Sequence, residues 1–345
     1  MDIDLGKLRE NLGRIQESVA PCGVIAVLKA DAYGLGVLPI AQTLAEAGVA
    51  AFAVAEPDEA LQLTHLGLPV QILGGMLPSE LPHTVGAGII HPVTSLQAAG
   101  QISAEAVRQD CTVECQFLID TGMGRLGILH TDAVDTIREA VTLPNLDCRG
   151  IYSHFPVAYR SGEEYTAAQV DRFLRILEAL RREGIDFTKI HIANSDAVNN
   201  FPFTCRPPFN YVRTGINLHG SFDPEGHRRL NLQSILTLKA RLVQKRVLPA
   251  GMRLGYGLTY ALPDSTLVGT VAAGYADGLP MALSNRGYVL IRDRVCPILG
   301  RVSMDYITVS LEGVPEAQVG EEVVCLGGKG PTAITVDKWA MLKGT

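Results

Sequence analysis

The chain has 345 residues, of which 47% are apolar and 19% charged, and its formal net charge is −6. That composition allows a large core, suits two domains and excludes global disorder. No basic stripe invites nucleic acid, no apolar run reaches the roughly 18 residues of a membrane span, and the acidic start Met1-Asp2-Ile3-Asp4 lacks a signal n-region; a soluble, cytoplasmic protein is expected.

Eight short apolar runs follow one another in the first two-thirds: 24–30, 51–55, 70–74, 88–93, 113–120, 148–154, 189–194 and 211–218. They are continuously apolar rather than alternating, which fits parallel strands buried on both faces. Helical patterns lie between them, at 37–47, 57–66, 132–141 and most clearly Tyr165–Glu183. There Val170, Phe173, Leu174, Leu177 and Leu180 share a face and Gly184 offers a C-cap. The alternation predicts a (β/α)₈ TIM barrel over residues 8–228. After about residue 228 the texture changes to strand patterns at 267–271, 288–291, 307–309 and 322–326, broken by Gly, Pro, Asn and Asp. Residues 229–345, with 1–7, are read as a C-terminal all-β domain. The seven cysteines are scattered and form no CxxC pair or Cys/His cluster, so no metal site is read; Cys111 and Cys115 read as packed thiols.

Barrel enzymes place their chemistry at the C-terminal strand ends. Polar residues at those ends include Lys29, Asp31, Tyr33, Asp120, Arg125, His154, Asn194, Ser195 and Arg213. Lys29 closes a strand expected to be buried. Desolvation favours a neutral amine, which can form a Schiff base with an aldehyde, whereas a lysine reaching out over the barrel rim is the ordinary alternative. His154 alone reads equally as a core histidine, Ser195 as a helix N-cap, and Tyr256 as a turn aromatic in Gly-Tyr-Gly.

The segment Lys29-Ala30-Asp31-Ala32-Tyr33-Gly34-Leu35-Gly36 resembles the cofactor-lysine motif of the alanine racemases, which use pyridoxal phosphate (PLP). The resemblance continues at Asp120–Gly127, Tyr152–Phe155, Ala193-Asn194-Ser195, Val212–Ile216, Gly255-Tyr256-Gly257, Gly274–Gly278 and Gly300–Asp305. Eight motifs in family order across both domains make a specific match. It implies racemisation of an amino-acid substrate, alanine, by two acid/base groups at Cα: Lys29 on one face, and on the other Tyr256 from a partner subunit. That implies a head-to-tail homodimer with shared sites and a role in supplying D-alanine for peptidoglycan. Ser195, the N–H groups of Gly215 and Ile216, and Tyr33 are implied to hold the cofactor phosphate, alongside Asn194. Arg213 is implied to face the pyridine nitrogen, where a donor-only guanidinium leaves the ring a weaker electron sink than a carboxylate partner does. His154 and Arg213 are implied to support Tyr256, and Arg125 with the N–H of Met304 to bind the substrate carboxylate. Asp277 and Asp305 read as turn residues without chemistry.

Three departures shape further expectations. The chain ends at Lys343-Gly344-Thr345, where family members continue into a segment with a further phosphate-binding tyrosine, so the β domain reads as truncated. Leu118 stands where many members carry a carbamylated lysine, which leaves Arg125 to be oriented by Asp120, an ion or water. Met281 stands where an entry-corridor arginine is usual, which predicts some tolerance of larger substrates such as serine. A racemase of broader preference, or a PLP-binding protein with impaired catalysis, is the alternative reading.

Overall fold

The computed structural model describes residues 1–344 and divides into two units, Leu5–Gln233 and Met1–Asp4 with Ser234 onward. In the first unit, eight strands lie in parallel register: β1 (Gly23–Val27), β2 (Ala51–Val54), β3 (Val70–Ile72), β4 (Ile89–Val93), β5 (Val113–Asp120), β6 (Leu146–Tyr152), β7 (Lys189–His191) and β8 (Tyr211–Thr214). β1 pairs with β8 as well as β2, and β4 pairs with β5, so the sheet closes on itself as a barrel. All four residues of β2 and all five of β4 are buried, as strands wrapped by helices must be.

The predicted helices form as α2 (Val37–Glu46), α3 (Pro57–Leu63), α5 (Ala133–Ala140) and α6 (Glu164–Arg182), with Gly184 at φ 78° just past the C-cap of α6. The structure adds α1 (Leu5–Val19) and α4 (Leu96–Arg108). α1 buries Leu8, Leu12, Ile15 and Val19 at helical spacing. Its buried Asn11 donates to the carbonyls of Leu218 and Gln233 and accepts from Gln233 N–H, which ties the two ends of this unit together.

Several expected strands stop short of their apolar runs. β1 ends at Val27 rather than residue 30, β6 at Tyr152 rather than 154, β7 at His191 rather than 194, and β8 at Thr214 rather than 218. There the chain turns over the barrel mouth and leaves the hydrogen-bonding ladder; the remainders after β6, β7 and β8 are buried or half-buried, whereas after β1 Leu28 is buried and Lys29 and Ala30 are exposed.

The second unit is an antiparallel sheet of β9 (Leu236–Leu248), β10 (Thr266–Val271), β11 (Tyr288–Ile291), β12 (Arg294–Pro297), β13 (Ile307–Ser310) and β14 (Glu322–Leu326), in the order β12-β11-β14-β9-β10-β13. Asp2–Ile3 adds to β9. Leu242, Val271, Ile291, Val309 and Val323 form its core. One α-helix, Val336–Lys343, packs Trp339 and Leu342 on this core, an element the β-rich reading did not contain. Among the described residues, no helix is long and apolar enough to cross a membrane.

Candidate active site

A cavity of about 460 Å³ opens at the C-terminal ends of the barrel strands, and all its lining residues lie between Val27 and Ile216. Lys29, Tyr33, Arg125, His154, Asn194, Ser195, Arg213, Gly215 and Ile216 line it together. Tyr256 and Met304 do not; they belong to the other unit, where they are 74% and 52% exposed. Asp31 and Asp120, though at strand ends, do not line the cavity, because their carboxylates accept backbone N–H groups: Val37 at 2.7 Å for Asp31, Gly122 at 2.8 Å and Gly124 at 3.0 Å for Asp120.

Lys29 opens a left-handed turn. Ala30, Asp31, Ala32 and Tyr33 all sit at φ 53–61° and ψ 34–53°, a region that costs an L-residue roughly 1–2 kcal/mol each. Specific bonds hold it: Ala32 N–H donates to Leu28 at 2.9 Å, Asp31 accepts from Val37, and Ala30 N–H donates to Glu59. Glu59 on α3 also accepts from the amides of Ala55 and Glu56, so one carboxylate ties the loops after β1 and β2. The turn presents Lys29 and Tyr33, four residues apart, to the same cavity. Lys29 is exposed, not nearly buried as the strand-end reading expected, because the ladder stops two residues earlier and the side chain stands in the open mouth.

Where Ser195 and Gly215 line the cavity, the Oγ of Ser195 accepts from Gly215 N–H at 3.0 Å, and a Cβ on Gly215 would lie 2.0 Å from the hydroxyl of Tyr33. Two hydroxyl groups therefore converge on a glycine that has no side chain to keep them apart. Gly215 N–H is spent on Ser195, which leaves the Ser195 proton free to be donated. The N-cap of the short helix α7 (Ser195–Asn200) is Asn194, whose side chain accepts from Ala197 N–H; Ser195 is its first residue, not its cap. Tyr33 packs edge-on against His219, and burial holds its phenol protonated, with its pKa pushed up to about 12.

Arg213 is buried at the cavity floor. Its Nη2 donates to the carbonyls of Ser153 at 2.6 Å and Ile192 at 3.1 Å and lies 3.4 Å from His154 Nδ1. Its Nη1 meets His191 Nδ1, and its guanidinium lies over the Tyr152 ring. Burial lowers the Arg213 pKa to about 10, so it stays charged at neutral pH. Burial, with the charges of Arg213, Arg125 and Lys29, lowers His154 to about 3, and burial with Arg213 holds His191 well below the usual histidine range. Both imidazoles are neutral acceptors toward a donor-only arginine. His191 Nε2 must then carry the proton, which it gives to Gln116 Oε1 at 2.8 Å.

Glu59, Gln116 and His191 escaped the sequence reading. The last two were signalled only as polar residues inside otherwise apolar strand runs. Asp196 also lines the cavity; burial and Asp223 raise its pKa to about 6. Against that one carboxylate stand Lys29, Arg125 and Arg213, an electrostatic setting for an anionic ligand.

Family models match the chain as the alanine racemase N-terminal domain over residues 3–223 and the alanine racemase C-terminal domain over 235–345. The alanine racemase of Halothermothrix orenii is 36% identical over 339 residues, covering 97% of this chain and 88% of that one. The solved alanine racemase of Clostridium difficile 630 superposes with a TM-score of 0.92 at 30% identity, covering 99% of this chain and 90% of that one. That of Bartonella henselae, solved with covalently bound pyridoxal phosphate, gives 0.87 at 28% identity over 99% and 92%. A closed parallel barrel with its polar residues at one mouth, an antiparallel second unit, and matches along both lead to one conclusion: the chain belongs to the alanine racemase family.

Proposed function

We propose that this protein is a PLP-dependent alanine racemase, interconverting L- and D-alanine by two-base proton transfer at Cα. The observation that carries the reading is the floor of the cavity: a buried, charged Arg213 held by two neutral imidazoles, below an exposed Lys29 at the same mouth. The cavity volume falls within the roughly 300–1,000 Å³ usual for small-ligand sites. The residues fit the cofactor. The Ser195 and Tyr33 hydroxyls around Gly215 suit a phosphate, and Arg213, whose Nη1 and Nη2 are already engaged, would offer its Nε–H to a pyridine nitrogen.

In this reading Lys29 holds the cofactor, and Tyr33, Ser195, Asn194, Gly215 and Ile216 surround its phosphate. PLP, when bound, supplies the electron-withdrawing ring that makes the substrate's Cα–H acidic. Arg125 binds the substrate carboxylate through its planar fork, joined by the Met304 N–H of a second copy. Lys29 Nζ moves the proton on one face of Cα. The Tyr256 phenol of the second copy moves it on the other, with neutral His154 beside Arg213 as its support. Arg213 would donate a hydrogen bond to the cofactor nitrogen while keeping its protons, which would favour return of the proton to Cα over side reactions.

A head-to-tail homodimer is part of the proposal. Tyr256, Leu258, Tyr275, Met304 and Tyr306 are all exposed on the second unit. Their loops run together: Tyr275 N–H donates to Ser303 at 3.0 Å and Ala276 N–H to Met304 at 3.0 Å. An exposed apolar and aromatic group of this kind supports a protein contact. Residues 8–228 are read as the PLP domain and 229–345, with 1–7, as the domain that completes a partner's site. We place the protein in the cytoplasm, where D-alanine for peptidoglycan is made.

The test is direct. Incubated with L-alanine and saturating PLP, the parent protein should form D-alanine, and Lys29→Ala should abolish it. No turnover by a parent protein that still binds PLP would remove the proposal.

A further inference from the structure

The loop that carries Arg125 leaves β5 at Asp120 and bends back through Thr121-Gly122-Met123-Gly124. Nothing charged steadies the Arg125 guanidinium from within this loop, because Asp120 spends its carboxylate on the amides of Gly122 and Gly124, and the neighbouring cavity-lining residue is the apolar Leu118. The position of Arg125 is therefore set by its backbone. That backbone is fastened to one face of α6 by three residues at helical spacing, Tyr165, Gln169 and Arg172. The Tyr165 hydroxyl donates to Gly122 O at 2.7 Å, and Arg172 Nη1 donates to Thr121 O at 2.7 Å. Gln169, fully buried, donates to Thr121 Oγ1 at 3.2 Å and to His154 O at 3.1 Å, while Thr121 Oγ1 meets Ser153 Oγ at 2.7 Å. The Arg172 guanidinium lies over the Tyr165 ring, which holds the two donors together. Gly122 completes the fastening: at φ 138° it brings its carbonyl so near that a Cβ would lie 2.5 Å from the Tyr165 hydroxyl.

We infer that Tyr165, Gln169 and Arg172 are positioning residues for the substrate carboxylate, holding Arg125 in place through the Thr121–Gly124 backbone. In this chain the helix does what a charged neighbour at position 118 does not. The inference rests on Arg125 binding that carboxylate, as proposed above.

The test uses the full-length holoprotein as the double variant Tyr165→Phe/Arg172→Met, which removes both donors and keeps the packing volume. KM for L-alanine should rise about tenfold, the scale of losing two hydrogen bonds that place a charged group, with kcat within about threefold of the parent. Ethylamine, an amine without a carboxylate, should perturb the PLP absorption band at the parental concentration. Restoring the cation as Tyr165→Phe/Arg172→Lys should recover part of the KM. An unchanged KM, or an equal loss of ethylamine affinity, overturns the inference. A parent protein without racemase activity sinks the functional reading instead. The fastening is then read by hydrogen exchange: faster exchange confined to the amides of residues 121–125 in the double variant upholds it, and unchanged exchange overturns it.

Discussion

Arg213 is a charged group in a place that ordinarily refuses charge. Its burial is tolerated because two carbonyls and two neutral imidazole nitrogens accept its protons, and burial of those imidazoles keeps them neutral. Replacing it by Glu puts a protonatable group where the cofactor nitrogen is proposed to lie. Arg213→Glu should cut racemisation by about a hundredfold or more and raise the share of transamination; pyruvate formed from alanine measures it, and no rise would overturn the role given to Arg213. Asp196 is a half-buried carboxyl without such compensation. Its pKa is raised to about 6, so the folded state binds this proton more tightly than the unfolded chain does. The stabilisation is complete below the ordinary aspartate range and is lost as pH rises through about 6. Asp196→Asn should accordingly raise the Tm of the PLP-free protein at pH 7.5, with the gain vanishing near pH 4. A gain that does not depend on pH would contradict this.

At the scale of elements, the site consists of the turns that follow the strands. The left-handed turn Lys29–Gly34 is held by Glu59, the β5 loop by α6, and the turn after β8 by the contact of Gly215 with Tyr33. A Cβ at Gly215 would lie 2.0 Å from the Tyr33 hydroxyl, so Tyr33, which is 36% exposed, would have to swing that hydroxyl away. Gly215→Ala should therefore weaken PLP binding by about tenfold or more, as a displaced hydroxyl leaves the phosphate short of a donor. Spectroscopic titration of the PLP-free protein checks this, and parental affinity would show that the hydroxyl is not needed there. The eight strands were legible because a parallel barrel buries both faces of each. Their C-terminal limits were not, because the turns that leave the ladder are nearly as apolar as the strands. Helices α1 and α4 were also passed over, although each has its own apolar face.

At the scale of the whole molecule, the cavity is built by the barrel alone, whereas Tyr256 and Met304 lie exposed on the other unit. The proposed sharing of the site between two copies makes an assay possible that a self-contained site does not. Lys29→Ala and Tyr256→Phe variants, each inactive, should regain up to about a quarter of parental activity when unfolded and refolded together, since half of a random mixture is hybrid and each hybrid has one intact site. No recovery, with hybrids present, would confine both residues to the same chain.

The barrel, the β-rich second unit, the family and the residues at the cavity mouth can all be read from the order of residues alone. Hydrophobic periodicity and ordered motifs are local properties, written in consecutive residues. It took the folded chain to show that Lys29 is exposed, that Asn194 rather than Ser195 caps its helix, that Asp120 serves its own loop, and that Glu59, Gln116, His191 and the face of α6 are bonded to the site's loops and side chains. The Asn194 cap and the Asp120 bonds are local choices among neighbouring donors, whereas the contacts of Glu59, Gln116, His191 and α6 join residues tens of positions apart. Composition and spacing do not encode that pairing; it exists only once the strands have closed.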